Sequence, residues 1–358
     1  MSGMNAYRDL DTSQWLALSI FASYFALILG LFYVIFARSI RWDSLGSKGW
    51  VFLGLTGASF AHTWFYMFRF MQWSFYNHES LIVASQGPLL TRFANWLVNT
   101  ALFEQAWGAV CFGPFNWWWS EQLCLFTAGA WTVFIAIEGR RHGIRHLWAY
   151  MLLGQVVAIS VASNLFYLAL ITSAPSKAKP NVCRLSPMIW GSVLLSMITV
   201  GLSPFTSDET FLPNLLVMHA LLLAAVLPRR PQEPKALAMR PLVLYALIAV
   251  LSMVLRLRTT VAAYLTLPPT TRTPRSFALC AWETLHSHPA QASIGWDVVW
   301  TSFSFLIWYF TSMASEQDRS FVDIFNAVLQ TAVLSAGVMA PSLFGRHVGI
   351  KEGAKKRE

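Results

Sequence analysis

Three acidic residues lie within or beside strongly apolar stretches of the chain, where an ionised carboxyl group is costly. Glu104 lies between aromatic residues in the stretch 103–107, Glu121 comes two residues after three consecutive tryptophans, and Asp297 directly follows a tryptophan. A carboxyl group that aromatic neighbours desolvate has a raised pKa and keeps its proton near neutral pH. Such a group can serve as a general acid, so these residues predict acid–base chemistry.

Each of these acids also has a structural interpretation. Glu104 fits an exposed residue on an interfacial helix equally well. Glu121 stands at the start of an apolar run, where the helix dipole favours an acid and the tryptophans form an interfacial belt. Asp297 also occupies a predicted first turn. There the dipole favours the ionised form, which counts against an acid role unless burial dominates.

A second set of polar and aromatic residues could line a pocket for a substrate. His62, Tyr66 and Arg69 recur at i, i+4 and i+7, so they share one face of a predicted helix. Alternatively they form interhelical hydrogen bonds, as Asn164 does in its simplest interpretation, or reach the membrane interface. His219 is interpreted as a structural histidine. The candidate substrate-binding residues are His62, Tyr66, Arg69, Trp107, Asn164 and Trp300.

The chain lacks the short motifs that bring a metal ion or an activated nucleophile to a site. It contains no HExxH, no GxxxxGK[ST], no GxSxG and no Asp-rich motif for a magnesium diphosphate. The 4 cysteines include no CxxC pair. We therefore expect chemistry without a metal ion or cofactor.

Composition identifies the setting for this chemistry. Of 358 residues, 56% are hydrophobic and only 12% are charged, whereas soluble domains carry about 25% charged residues. The mean hydropathy is +0.49. These values exclude a nucleic-acid-binding protein, a Rossmann enzyme and a disordered scaffold. The net charge of +9 is then expected to set topology and to contact anionic lipid rather than nucleic acid.

Apolar runs of about twenty residues predict an all-α, polytopic transmembrane helical bundle with eight or nine spans. The whole chain, 1–358, is predicted to be a single membrane domain. The stretch 90–110 has mixed faces and predicts a re-entrant or interfacial helix, or a further span. The predicted spans are 15–37, 50–75, 117–138, 147–172, 187–204, 211–228, 241–257, 295–313 and 321–345.

Aromatic residues are abundant, with 17 Trp, 26 Phe and 10 Tyr. Interfacial belts account for some of them. A pocket lined by aromatic faces also stabilises cations, by about 0.5–2 kcal/mol per contact. Combined with a protonated carboxyl group in dry surroundings, such a pocket could generate a carbocation and guide it through ring closure.

Several segments resemble the fungal integral-membrane terpene cyclases of meroterpenoid pathways, of the ascochlorin/ascofuranone and macrophorin type. They are LFEQAW at 102–107, WWWSEQ at 117–122, EGRR at 138–141, WAYMLLGQVVAIS at 148–160 and NLF at 164–166. The resemblance implies cyclisation of a farnesyl or epoxyfarnesyl chain on an aromatic polyketide head. It further implies an integral protein of the endoplasmic reticulum and a membrane epoxidase acting upstream.

The resemblance does not itself assign the acid. By analogy with the smaller fungal cyclases of similar chemistry, which are associated with one Glu and one Asp in their spans, Glu104 and Asp297 are the predicted proton donor and its partner. Glu121 is the reserve donor. Two other functions stay open at this point: a transporter or exporter of a hydrophobic metabolite, and a membrane enzyme similar to sterol isomerases.

Overall fold

The computed structural model describes residues 10–81, 87–173, 184–227, 237–313 and 320–355. Within these residues the chain forms helices and no strand, which confirms the all-α prediction. The helices are α1 Thr12–Arg38, α2 Ser47–Leu81, α3 Leu89–Asn99, α4 Leu102–Cys111, α5 Pro114–Gly139, α6 Leu147–Val156, α7 Ile159–Thr172, α8 Pro187–Leu202, α9 Asp208–Val226, α10 Pro241–Leu265, α11 Pro274–Ser287, α12 Pro289–Trp308, α13 Phe321–Leu334 and α14 Ala336–Lys355.

Local sequence explains where several of these helices begin. Asp11 and Gln14 form a reciprocal cap at the start of α1, each side chain accepting the backbone N–H of the other at 2.8 Å. Hydrogen bonds from the Ser13 hydroxyl and the Gln14 amide hold the pKa of Asp11 below its usual value. Helix α5 starts at Pro114, directly after Gly113 in a positive-φ conformation, because proline fits a first helical turn.

The chain is a membrane protein, as its composition predicts. Five of the described helices are long and apolar enough to cross a membrane, namely α1, α5, α9, α10 and the segment Pro187–Phe205 that contains α8. Helix α5 forms the centre of the bundle, since 94% of its most apolar window is buried. Two π-helical turns, Phe126–Trp131 and Ile135–Gly139, interrupt α5. Such turns are frequent at functional sites.

Tight packing fixes the C-terminal helix α14 against this central helix. A Cβ atom placed on Gly337 would lie 2.7 Å from the Leu125 Cβ atom and 2.8 Å from the Phe126 backbone nitrogen. Both distances are shorter than side chains tolerate, so only glycine allows the two helices to approach this closely. Gly30 on α1 is the opposite case, because no atom lies within 4 Å of the corresponding position.

Three predicted segments differ from the structure in the same way: each contains a break. The predicted span 147–172 is divided into α6 and α7. The predicted span 321–345 is divided into α13 and α14 at buried Ser335, whose φ of 103° cannot continue a helix. The stretch 90–110 forms two short helices, α3 and α4. Whether any of these segments crosses the membrane stays a prediction.

Candidate functional site

A cavity of about 390 Å³ lies inside the bundle. Side chains from α1, α2, α4, α5, α9 and α12 line it, together with the residues that join α6 to α7. Most of the lining is apolar, and Phe70, Phe103 and Trp107 contribute aromatic rings. The volume falls in the range of small-molecule sites, about 300–1,000 Å³.

A second cavity, of about 640 Å³, lies between α10, α13 and α14. Its polar residues include Asp323 and Gln330, which are both exposed because α13 packs against little else. We locate the candidate site in the cavity of about 390 Å³, because core helices line it and it contains a buried carboxyl group.

That carboxyl group belongs to Asp297 on α12, which is only 4% exposed. Its two oxygens accept the backbone N–H groups of Ile159, at 2.9 Å, and Ser160, at 2.8 Å. These two amides are the first of α7. Asp297 therefore caps a helix from a different part of the chain, where the partial positive charge of the helix N-terminus stabilises an anion.

This contact also explains the break between α6 and α7. In a continuous helix the amides of Ile159 and Ser160 would donate to the carbonyls of Gln155 and Val156. Because Asp297 takes both amides, both carbonyls are released. The Tyr24 hydroxyl donates to the Val156 carbonyl at 2.6 Å, and Gln155 stays at the C-terminal end of α6, in the cavity wall. Broken helices occur at membrane depth where they line a cavity or are buried in protein.

His219 on α9 also lines the cavity. Whereas Asp297 accepts backbone N–H groups, His219 donates to a backbone carbonyl. Its Nδ1 lies 2.7 Å from the Leu215 carbonyl, which can only accept, so Nδ1 carries a proton. In the neutral ring, Nε2 then has a lone pair and can act as a base. The Gln155 side chain donates to the His219 carbonyl at 3.3 Å, and the Trp107 ring lies 6.0 Å from the imidazole. Helix α9 is thus connected to the helix break.

Two of the three predicted acids, Glu104 and Glu121, do not line the cavity. Glu104 is exposed, whereas Phe103 and Trp107 on the same helix line the cavity. The structure therefore supports the exposed alternative for Glu104, and its catalytic role stays a prediction that this position disfavours. Asp297 is the predicted acid that reaches the cavity.

Glu121 is fully buried, but it belongs to a separate cluster between α5 and α10. It accepts the Thr259 hydroxyl at 2.6 Å, and its other oxygen lies 4.0 Å from the Arg256 guanidinium. Arg256 is 1% exposed, donates to the Trp118 carbonyl at 2.6 Å, and stacks at 4.2 Å from the centre of that indole ring. The cluster joins the two helices. Glu121, Thr259, Arg256 and Trp118 are not among the residues that line the cavity.

Some of the predicted binding residues line the cavity and others lie outside it. Trp107 lines the cavity. His62 and Trp300 instead pair with each other on a different face, through a 3.1 Å bond from the indole N–H to Nδ1. Tyr66 packs beside His62, at 5.6 Å between ring centres, and Arg69 is exposed. From α2 the cavity is lined by Thr63, Met67, Phe70 and Met71.

Asn164 is completely buried in α7, and its amide has no hydrogen-bond partner among the described residues. It does not line the cavity, so a substrate-binding role stays a prediction. Sequence reasoning missed Tyr24, interpreted Gln155 as an interhelical hydrogen bond, which the contact with His219 confirms, and took His219 as structural. Gly154 followed by the polar Gln155 inside an apolar run was the available signal for the helix break.

In the described ranges, no group of three or more His, Cys, Asp or Glu side chains could hold a metal ion. We therefore assign no residue as a metal ligand.

Comparison with known proteins identifies one region of similarity. A family model described as a protein of unknown function, DUF2834, matches residues 122–171. The match begins in the buried part of α5 and includes both sides of the α6–α7 break. No curated protein and no solved structure matches the chain.

Proposed function

We propose that this chain is a membrane-bound terpene cyclase that acts on a farnesyl or epoxyfarnesyl chain attached to an aromatic polyketide head. The observation that carries the proposal is the buried carboxyl group of Asp297 in an apolar, aromatic cavity inside a bundle of membrane-type helices. An apolar cavity suits a prenyl chain, and a single acid can start the reaction. The resemblance of segments 102–107 and 148–160 supports the same substrate class.

Asp297 is the proposed proton donor. A carboxyl group has about four lone-pair positions. The amides of Ile159 and Ser160 use two of them, and the Thr301 hydroxyl, 3.5 Å from Oδ1, faces a third. A remaining position holds the proton that is transferred to the epoxide oxygen, or to the terminal alkene carbon. After transfer, the same two amides stabilise the resulting carboxylate without rearrangement, in the manner of a preorganised oxyanion site.

The walls of the cavity then guide the ring closure. Opening of the protonated epoxide breaks its tertiary C–O bond and places positive charge on carbon. The next alkene attacks this carbon, and each new C–C bond moves the charge along the chain. Phe70, Phe103 and Trp107 stabilise this charge through their ring faces. The last cation loses a proton to the Nε2 of His219, so that substrate and product are isomers.

The finer aspects of location and partners belong to this proposal. A substrate with a prenyl tail reaches the cavity from the bilayer, in an internal membrane such as the endoplasmic reticulum. An epoxide trigger would be supplied by a membrane epoxidase that acts earlier. The protein's own residues supply the acid and the base, and the proposal includes no metal ion or cofactor.

The test is a conversion assay in microsomes from a host that expresses the full chain. A farnesyl-phenol and its terminal epoxide are incubated with and without EDTA, and products are followed by mass spectrometry. We expect a new product of unchanged mass that EDTA does not suppress. In D2O, an alkene trigger would place one deuterium on carbon, whereas an epoxide trigger would not. Absence of an isomeric product from either substrate in membranes that contain the folded chain would contradict the proposal.

One observation favours a second function, transport of a hydrophobic metabolite. Transporters often place substrate sites at discontinuous helices, and the α6–α7 break lines the cavity here. Vesicles that contain the purified chain would then show flux of the prenyl-phenol without any covalent change. Conversion to an isomer would instead support the cyclase.

A further inference from the structure

The hydroxyl groups around the cavity share one orientation. All five hydroxyl side chains among the described residues that line it donate their hydrogen to a backbone carbonyl, so that only their oxygen lone pairs stay free for a ligand. The bonds are Tyr24 to Val156 at 2.6 Å, Thr63 to Ser59 at 2.8 Å, Ser120 to Val110 at 2.6 Å, Thr127 to Leu123 at 2.7 Å and Ser293 to Thr63 at 3.0 Å.

The nitrogen donors are used in the same way. The Nδ1 hydrogen of His219 is directed to a carbonyl, as is one side-chain hydrogen of Gln155. The amides of Ile159 and Ser160, which would otherwise form an anion site at the start of α7, are filled by Asp297. Among the described lining residues, the donors that remain are the Trp107 indole N–H, the second Gln155 amide hydrogen, the backbone N–H groups of Ala158 and of Leu102 and Phe103 at the start of α4, and two weakly donating thiols.

Negative partial charge therefore predominates in the cavity. The Asp297 carboxyl group and the C-terminal end of α6, with the carbonyl of Gln155 released from the helix, contribute it. The lone pair of His219 adds to it. No lysine or arginine is among the described residues that line the cavity, so an anion would have no charged partner there.

From this arrangement we propose that the cavity is a binding site for lipophilic organic cations, with an ammonium or sulfonium centre on an apolar chain. The charged centre sits between the ionised carboxylate of Asp297 and the end of α6, and the aromatic faces of Phe70 and Trp107 contact it. A bound cation favours the ionised form of Asp297, whereas an uncharged prenyl substrate leaves in place the proton that the proposed function requires. Prenyl phosphates and diphosphates are excluded by the same lone pairs. This inference goes beyond the proposed function, because it holds whether or not the cavity carries out a cyclisation.

The experiment measures binding of three matched ligands to the full chain in lipid nanodiscs, with empty nanodiscs subtracted. The ligands are farnesyl-trimethylammonium, its neutral analogue in which a quaternary carbon replaces nitrogen, and farnesyl phosphonate. Shape and apolar area are nearly equal in the first two, so their ratio of Kd isolates the charge. We expect the ammonium to bind at least about tenfold more tightly than the neutral analogue, and the phosphonate to show no saturable binding.

The variant Asp297→Asn locates the charge preference. We expect its Kd ratio to fall to within about threefold, because the carboxylate provides most of the attraction. The neutral ligand reports in the same samples whether the cavity is still formed. Asp323→Asn is the matched control, since Asp323 is exposed on α13, and it should keep the full ratio.

Three results would overturn the inference: equal affinity for the ammonium and the neutral analogue, saturable binding of the phosphonate, or no saturable binding of any ligand. A charge preference that persists unchanged in Asp297→Asn would also overturn it. Selective ammonium binding by a chain that forms no cyclised product would refute the cyclase proposal and leave this inference intact. Cyclisation by a chain that binds the ammonium and the neutral analogue equally would refute this inference and leave the cyclase proposal intact.

Discussion

Replacement of Asp297 tests the explanation of the helix break. Asp297→Ala removes the acceptor of two buried amides, those of Ile159 and Ser160. Each buried donor without a partner costs about 1–3 kcal/mol, so the free energy of unfolding should fall by about 2–6 kcal/mol. In Asp297→Asn the amide oxygen still accepts one of the two N–H groups, whereas its NH2 group cannot accept the other. The expected loss is about half as large, about 1–3 kcal/mol.

The assay is denaturant-induced unfolding of the purified chain in mixed micelles, followed by circular dichroism. Both variants lose the burial cost of the carboxyl group, so the difference between Asn and Ala reports one acceptor together with the packing of the side-chain amide. Asp323→Asn, at an exposed site in the first turn of α13 where the side chain accepts the Ser320 hydroxyl, should change the free energy of unfolding by no more than about 1 kcal/mol. An Ala variant as stable as the native chain would refute the reasoning, as would an Asn variant less stable than Ala.

Further predictions concern packing, buried charge and the second predicted acid. Gly337→Ala should lower the free energy of unfolding by about 1–3 kcal/mol through overpacking, whereas Gly30→Ala should raise it by up to about 1 kcal/mol; a loss in both would contradict the packing described. Arg256→Met should cost up to about 3–5 kcal/mol in the same assay, because it removes the more deeply buried of the two guanidinium groups beside Glu121 and leaves only Arg258, at 3.9 Å. Glu121→Gln in the same chain should recover most of the loss. Additive losses would show that the two residues do not interact. Glu104→Gln should keep the rate of substrate conversion within about twofold, since Glu104 is exposed, and loss of conversion in microsomes would restore it as the acid.

The class of protein could be predicted from the sequence, because composition and long apolar runs depend on no tertiary detail. The helix break could not. It results from Asp297, which is 138 residues away from Ile159 in the chain. The local sequence 147–172 favours one continuous helix, and only a contact from α12 removes the two amides that would complete it.

Helix rotation is the second property that sequence alone did not determine. On α2 the predicted stripe contains His62 and Tyr66, whereas Thr63 and Met67 line the cavity, one position further along. On α4 the offset has the opposite sign, because Phe103, one position before Glu104, lines the cavity. One residue is about 100° around a helix, so periodicity identifies a stripe but its orientation depends on the neighbouring helices.

The central claim is that Asp297 starts an isomerisation inside the cavity. It is tested most directly by incubating the purified full chain with the epoxyfarnesyl-phenol and measuring the rate of isomer formation in native chain, Asp297→Asn and Asp323→Asn. Circular dichroism confirms that each variant is folded. The account predicts conversion by the native chain and by Asp323→Asn, and a decrease of about 10²–10⁴-fold in Asp297→Asn, the typical contribution of a general acid. Conversion by Asp297→Asn at the native rate would contradict it.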